Sequence, residues 1–429
     1  MTFVPAQDKY AVRAAQQPVV NSNTAPQPDI KPARVMYVIS DLSIGGAEMM
    51  LYKLLTETDR TRFEPIVVSL MDTGALRERI EALGIAVHTV GVRPRLPTPQ
   101  ALWRLIRLMR LLQPDLIVGW MYHSCLAVQL ARIFTSRQAN TLWSIHYSTD
   151  SLVEEKWLTG LVIVGCAFLS GWADKIIFVS RDGQSKHRQL GFNLTKSCVI
   201  PNGIDATTFV PSSEARASVR SELGLPGDAL IIGMVSRYHP MKDYASFLRA
   251  AALVLQTHPE THFLLVGRGV DGENQELHRL IHELGLAQRA HLLGERHDIP
   301  RLAAALDVFS LSSYCESFPT VIGEAMACAV PCVVTDVGDA AWIVGDSAGR
   351  IVPPRDPGAL AGAWAEMIKL GAEGRAAMGR AAHSRVSELF PLKSVVNRYE
   401  ALYEDVLAER TLERGASVLP RDQKSGAVS

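Results

Sequence analysis

A charge excess of one sign, paired cysteines, a dinucleotide-binding glycine triplet and a membrane-length apolar run are all missing from this chain, and each absence narrows the possible functions. Lys and Arg number 44 and Asp and Glu 44. No overall field therefore draws the protein to nucleic acid, and any attraction to phosphate has to be local. The six cysteines (Cys125, Cys166, Cys198, Cys315, Cys328 and Cys332) are scattered through apolar stretches without a C-x-x-C pair. Cys328 and Cys332 flank an Ala-Val-Pro turn with no histidine nearby, which argues for buried free thiols in a reducing compartment rather than a metal site. No G-x-G-x-x-G follows the first strand of either half, which counts against a nicotinamide enzyme. The N-terminal region lacks the apolar core of a signal peptide, so a cytoplasmic location is expected. Residues 1–31, rich in Gln, Pro, Ala and Asn, read as disordered, and 412–429 as a flexible tail.

What is present is an α/β pattern. The 429 residues exceed one ordinary core, and 48% hydrophobic against 21% charged content suits large buried sheets. Short β-branched runs alternate with helical patterns throughout, the signature of parallel sheets. The first half offers strands at Val35–Ser40, Pro65–Leu70, Ala86–Val90, Leu116–Gly119, Thr141–Ile145, Lys175–Val179 and Cys198–Ile200. The second restarts at Leu230–Val235 and continues at His262–Val266, Ala290–Leu293, Val308–Leu311 and Cys332–Thr335. Pro201-Asn-Gly-Ile-Asp205 and the polar stretch after it read as a connector. The economical architecture is two doubly wound Rossmann-like domains, 32–205 and 206–388, facing each other across a cleft. An amphipathic helix within 389–411 is long enough to return to the first domain.

Candidate site residues cluster after strands, where open α/β sheets present their ligands. Glu316-Ser-Phe-Pro-Thr-Val-Ile-Gly-Glu324 follows the strand Val308–Leu311. Pro319 suits the first turn of a helix and Ser317 its cap. Phe318, Pro319 and Thr320 then offer backbone groups at the positive helix end, with Glu316 before it and Glu324 inside it. Carboxylates beside a helix N-terminus suit a ligand that is anionic and rich in hydroxyls, such as a nucleotide sugar; two solvated glutamates flanking a helix start would give the same spacing. Gly45 and Gly46, in Ser43-Ile-Gly-Gly-Ala-Glu48, allow close backbone approach after the first strand, or simply make a tight turn. Arg237 and Lys242 sit on the loop after Leu230–Val235, where a planar fork and a point charge converge on a diphosphate, unless the turn is merely solvated. His146 follows the strand Thr141–Ile145 and so points into the same cleft from the other domain, unless it is simply a structural or exposed histidine, as a lone one more often is. Arg296 to Ile299 lie on another post-strand loop, with Asp298 capping a helix at Pro300; that loop suits a nucleobase or a plain connection.

The order GGAE, Ala173-Asp-Lys-Ile-Ile-Phe-Val-Ser180, Val199-Ile-Pro-Asn-Gly-Ile-Asp205, Arg237-x4-Lys242 and Glu316-x7-Glu324 resembles glycosyltransferase family 4, the retaining nucleotide-sugar transferases of GT-B fold, from about residue 34 to 410. The stretch Glu316 to Asp339 is its most specific part. The resemblance implies that Glu316 binds hydroxyls of the donor sugar and Glu324 the ribose. Arg237 and Lys242, with the amides of Gly45 and Gly46, would neutralise the diphosphate, His146 would lie near the reacting centre, and Arg296 to Ile299 would hold the base. It also implies a UDP- or GDP-sugar donor, an α-linked product, and a glycan or polyprenyl-linked glycan acceptor in surface polysaccharide or glycolipid synthesis. No D-x-D motif lies near the site, so metal-independent chemistry without a cofactor is expected. No further carboxylate is evident on the His146 side. A nucleotide-sugar 2-epimerase of the same fold and a non-catalytic nucleotide-sugar-binding partner are the alternatives.

Two segments bear on membranes. Arg104, Arg107 and Arg110 share one face of an apolar helix, which suits either an anionic lipid surface or a sheet-covering helix with solvated arginines. Trp157–Trp172 is nearly all apolar but short for a span, and reads as a buried helix or part of an acceptor groove.

Overall fold

The structure is a computed structural model that describes residues 31–72, 74–92, 99–135, 139–148 and 156–418. The expectation for residues 1–30 and that for 419–429 lie outside the described residues. The first half contains β1 (Ala33–Ile39), β2 (Phe63–Ser69), β3 (Val87–Thr89), β4 (Leu116–Trp120), β5 (Asn140–Ile145), β6 (Lys175–Phe178) and β7 (Ser197–Val199). Its helices are α1 (Gly46–Glu57), α2 (Leu76–Glu81), α3 (Pro99–Leu112), α4 (Tyr122–Ile133), α5 (Trp157–Leu169) and α6 (Arg181–Gln189). The second half contains β8 (Ile231–Val235), β9 (His262–Val266), β10 (Ala290–Leu292), β11 (Val308–Leu311), β12 (Cys332–Thr335) and β13 (Gly349–Val352). Its helices are α7 (Ser213–Glu222), α8 (Tyr244–Leu255), α9 (Gln275–Glu283), α10 (Ile299–Ala304), α11 (Thr320–Ala327), α12 (Ala340–Val344), α13 (Pro357–Lys369), α14 (Gly371–Leu389) and α15 (Leu392–Val418).

Both sheets are parallel. The first runs β3-β2-β1-β4-β5-β6-β7 and the second β10-β9-β8-β11-β12-β13. In each, the strand order reverses beside the first strand, between β1 and β4 and between β8 and β11, and such reversals open a crevice beyond the strands' C-terminal ends. Alternation along β1 sends Val35, Tyr37 and Ile39 to one face, under α1, α2 and α15, and Met36 and Val38 to the other, under α3 and α4. The second sheet is covered in the same way, by α10, α11, α12 and α14 on one face and by α8, α9 and α13 on the other. Five of the six cysteines are buried, and all six are free thiols.

The chain passes between the halves twice, and the two crossings are bonded to each other. Ile204 N donates to Phe390 O at 2.8 Å and Leu392 N to Ile204 O at 3.1 Å. Gly203 permits this approach, because a Cβ there would lie 2.7 Å from a Leu392 methyl carbon. Beyond the crossing, α15 lays Val395, Val396, Tyr399, Leu402, Tyr403 and Val406 into the core of the first sheet. The helix runs on to Val418, past the point where a flexible tail was expected, because Glu409 to Arg414 contain helix formers and no proline. The edge strand β13 was not foreseen: Gly-Arg-Ile-Val is short and begins with glycine, and its strand character comes from pairing with β12.

Candidate functional site

A cleft of about 520 Å³ separates the C-terminal ends of the two sheets. From the first half it is lined by Gly45, Gly46 and Glu48 at the start of α1, by His146 after β5, and by Asn202. From the second it is lined by Arg237, His239 and Lys242 after β8, Arg296 and Ile299 after β10, and Glu316, Phe318, Pro319 and Thr320 after β11. Eleven of the twelve residues singled out from the sequence thus share one cavity.

The twelfth, Glu324, does not line it. It lies in the second turn of α11 and pairs with Lys53 of α1 at 3.0 Å, each side chain 14% exposed. That pair ties the two halves together across the cleft edge.

Two helices end their N-termini in the cavity. Pro319 precedes α11 rather than standing in its first turn, and no side chain caps the helix. Pro319 has no N–H, so Thr320 and Val321 supply the orphan amides of the helix end. Ser317 does not cap; its hydroxyl lies 2.8 Å from Ser180 Oγ of the opposite half. At α1, a Cβ on Gly46 would meet no protein atom within 4 Å, so that face is open to a ligand. A Cβ on Gly45 would lie 2.3 Å from Glu48 Oε2. Glu48 therefore folds over the glycine turn, and burial raises its pKa against the opposing pull of Arg237. This places a carboxylate in the cleft on the His146 side, where none was expected. Its position in GGAE, at the first turn of a post-strand helix, was the available signal.

The two basic residues after β8 differ in how they are held. Lys242 Nζ pairs with Glu316 Oε1, and Ser313 Oγ donates to the same oxygen at 2.7 Å. The pair is largely screened from water, at 18% and 11% side-chain exposure. Arg237 is exposed and makes no hydrogen bond or ion pair with any described residue. A free guanidinium fork facing two helix N-termini is an anion-recognising arrangement.

His146 is stacked on Trp120, ring centroids 4.3 Å apart, and its Nε2 lies 2.8 Å from Ser144 Oγ. Burial pushes its pKa down to about 3, so the ring is neutral at pH 7. Its Nδ1 and the nearby Asn202 Oδ1 are buried with no hydrogen-bond partner within normal limits. The ring thus acts as a neutral hydrogen-bonding group, not as a cation.

Arg296 lines the cleft, but its guanidinium is committed elsewhere. It forms a two-pronged bond to Asp298 at 2.8 Å and reaches Glu222 of α7 at 2.9 Å. Asp298 also accepts from Arg301 at 2.8 Å. These ion pairs, and not an amide of α10, take up the Asp298 carboxylate, so it forms no side-chain cap. At this loop, backbone groups remain available to a ligand.

The closed arrangement is fastened by Asp339, which is almost fully buried. Its carboxylate accepts from the amides of Arg181 at 2.8 Å and Asp182 at 3.1 Å, capping α6 from the opposite half. Arg181 in turn lies over the Trp342 ring, 3.9 Å from its centroid.

Two facing parallel sheets with a cleft between their C-terminal edges define the GT-B class, and solved GT-B transferases superpose on this chain. HepE of Anabaena, in a complex with UDP-glucose, matches with a TM-score of 0.75 at 25% identity over 86% of this chain and 99% of its own. The model for Glycosyltransferase Family 4 matches residues 44–208, and that for Glycosyl transferases group 1 matches residues 215–385. Between them the matches take in most of the chain, which belongs to this glycosyltransferase family. Among curated relatives, a D-inositol 3-phosphate glycosyltransferase of Corynebacterium jeikeium is 32% identical over 54% of this chain and 57% of its own length. A UDP-Gal:alpha-D-GlcNAc-diphosphoundecaprenol alpha-1,3-galactosyltransferase of Escherichia coli is 34% identical over 35% of this chain and 39% of its own. The matched stretches thus span about half of those relatives or less.

Proposed function

We propose that this protein transfers a glycosyl residue from a UDP- or GDP-sugar to a glycan or lipid-linked glycan, with retention and an α-linkage, in surface polysaccharide or glycolipid synthesis. The observation that carries the reading is the convergence of unpaired Arg237, the Lys242–Glu316 pair and the open N-termini of α1 and α11 on one cleft. The diphosphate lies against Arg237, Lys242 and the amides at Gly46 and Thr320, where fixed positive charge stabilises the leaving group without a metal ion. Glu316 accepts from sugar hydroxyls, and Glu324, held by Lys53 just behind the cleft wall, turns from that pair to accept from the ribose when donor enters. The base rests on backbone groups between Arg296 and Ile299. UDP-glucose bound to HepE and a diphosphoundecaprenol-linked acceptor named for the E. coli relative support the donor and acceptor classes. A lipid-linked acceptor also places the enzyme at a membrane surface.

In the reacting step the bond from the anomeric carbon to the phosphate oxygen breaks while the acceptor oxygen attacks the same face. The acceptor proton passes to the departing phosphate. His146, neutral at pH 7, orients sugar hydroxyls and does not supply a proton. The protein's contribution is positioning and charge stabilisation in a cleft that closes around the donor.

The test is transfer from a panel of UDP- and GDP-sugars to a polyprenyl-linked glycan in the presence of EDTA. An α-linked product formed at an unchanged rate is expected. Activity abolished by EDTA and restored by Mn²⁺ would overturn the metal-free clamp, and sugar isomerisation without acceptor would replace transfer by epimerisation.

A further inference from the structure

Helices α3, α4 and α5 form one layer over the face of the first sheet that α1 and α15 leave open. Helices in such a layer normally turn polar residues outward. α3 does so in part. It buries Ala101, Leu105, Ile106 and Met109 against the sheet and turns Arg104, Arg107 and Arg110 outward. α5 does not. Trp157, Leu161, Val164 and Phe168 recur at helical spacing along its outer side and are 72%, 59%, 52% and 83% exposed. Trp172 follows them into solvent, and the end of α4 adds Ile133 and Phe134 beside them, both exposed. Only Ile163 and Cys166 of α5 are fully buried. An exposed apolar stripe of this length marks an interaction surface.

The charge of the layer identifies the partner. The three helices hold no Asp or Glu. Their arginines, with Lys156 at the start of α5, make every formal charge in these helices and at that cap positive. Arg132 is occupied by Asp174 and Arg104 by Val90 O. Arg107, over the Trp103 ring at 5.7 Å, and Arg110, bonded only to the Phe134 carbonyl, keep their charge at the surface, whereas Lys156 lies close enough to the cleft to act on His239. A second copy of the chain docked on this face would bring like charges together. An anionic bilayer presents the complementary combination, apolar interior under negative headgroups, and tryptophan is favoured at that boundary. The 13 residues of α5 extend about 20 Å, too short to span, so the helix lies in the plane of the interface.

We infer that the α3–α4–α5 layer is the surface by which the protein docks on anionic membranes, with the α5 stripe seated at the headgroup–acyl boundary and Arg107 and Arg110 pairing with headgroup phosphates. This deepens the proposed function by naming the surface that meets a lipid-linked acceptor. Both segments that bear on membranes in the sequence, the basic helix and Trp157–Trp172, lie on this layer, and the structure adds that the outward side of α5 and the end of α4 supply its apolar part.

The experiment is co-sedimentation of the full chain with phosphatidylcholine vesicles, with and without phosphatidylglycerol, for wild type, Leu161→Gln/Phe168→Ser and Arg107→Glu/Arg110→Glu. Wild type is expected to partition to the anionic vesicles. The charge-reversed variant should bind them roughly 30-fold more weakly or worse, since each basic residue near such a surface is worth on the order of a fivefold change. The apolar variant should lose binding that persists for wild type in high salt. UDP and GDP affinities of all three, measured alongside, should agree. Absence of both UDP and GDP binding in wild type with vesicle binding intact would sink the transferase reading and leave this one standing. Wild type remaining in the supernatant with anionic vesicles at low salt would overturn the inference. So would dimerisation in sedimentation velocity that Leu161→Gln/Phe168→Ser abolishes, because the stripe would then be covered by a second copy.

Discussion

Removing Arg237 and removing Lys242 should damage the protein in different ways, because only one of them is engaged before ligand arrives. Arg237 is exposed and makes no hydrogen bond or ion pair, so Arg237→Ala removes only its through-space pull on Glu48 and should shift the melting temperature by no more than a degree or so. Lys242 neutralises Glu316 inside the cleft. Lys242→Ala strands a carboxylate with 11% side-chain exposure and only Ser313 as a neutral donor. Breaking a fully buried pair costs about 3–5 kcal/mol. Allowing for the residual exposure, about 1–3 kcal/mol is expected here, or several degrees in melting temperature. On the ligand side both variants lose a charge-assisted contact worth about 1.5–3 kcal/mol, which corresponds to roughly 10- to 150-fold in Kd. Isothermal titration with UDP and GDP, set beside thermal unfolding, separates the two effects. Equal destabilisation by the two substitutions would refute the structural distinction, and a Kd changed by less than about threefold in both would refute the diphosphate clamp.

Three other outcomes are expected. Glu48→Gln should still yield an α-linked product from an α-linked donor; a β-coupling in its product's NMR spectrum, or a covalent glycosyl ester trapped on Glu48 of the wild type, would overturn same-face substitution. Glu324→Ala should weaken donor binding and, because it strands Lys53 in a pair whose side chains are each only 14% exposed, lower stability by about 1–3 kcal/mol, as for the Lys242–Glu316 pair; an unchanged donor Kd would remove Glu324 from the ribose site. His187 is fully buried, bonded to Tyr122 and Gly183, and burial lowers its pKa to about 4. The unfolded chain therefore takes up a proton below about pH 6.5 that the folded chain refuses, so stability is full above pH 6.5 and falls as pH drops toward 4. Urea unfolding of His187→Gln should show a slope shallower by about 1.4 kcal/mol per pH unit near pH 5, and an unaltered slope would contradict it.

Most of the strand framework was legible because each strand is a compact β-branched run that parallel sheets bury on both faces. The cleft-lining residues were legible for a related reason: parallel topology brings post-strand loops to one edge, so Gly45, His146, Arg237 and Glu316 meet although they are far apart in the chain. What escaped depends on pairings that no local pattern encodes. Glu324 meets Lys53 across 271 positions, and Asp339 caps a helix whose first residue lies 158 positions earlier. Ser317 and Asp298 stand where caps are expected, yet Ser180 of the opposite half takes the first and the neighbouring Arg296 and Arg301 take the second. The outward apolar side of α5 was invisible because composition alone does not say which face of an all-apolar helix meets the sheet.

The central claim, that this cleft takes a nucleotide sugar, is tested most directly by thermal unfolding against a panel of UDP- and GDP-sugars. A true donor at a hundred times its Kd should stabilise the wild type by about 2.7 kcal/mol. An Arg237→Ala/Glu316→Ala variant, which lacks the free guanidinium and the hydroxyl-binding carboxylate, should show no shift at the same concentration. A wild-type protein unmoved by every member of the panel, or a variant stabilised as much as wild type, would contradict the account.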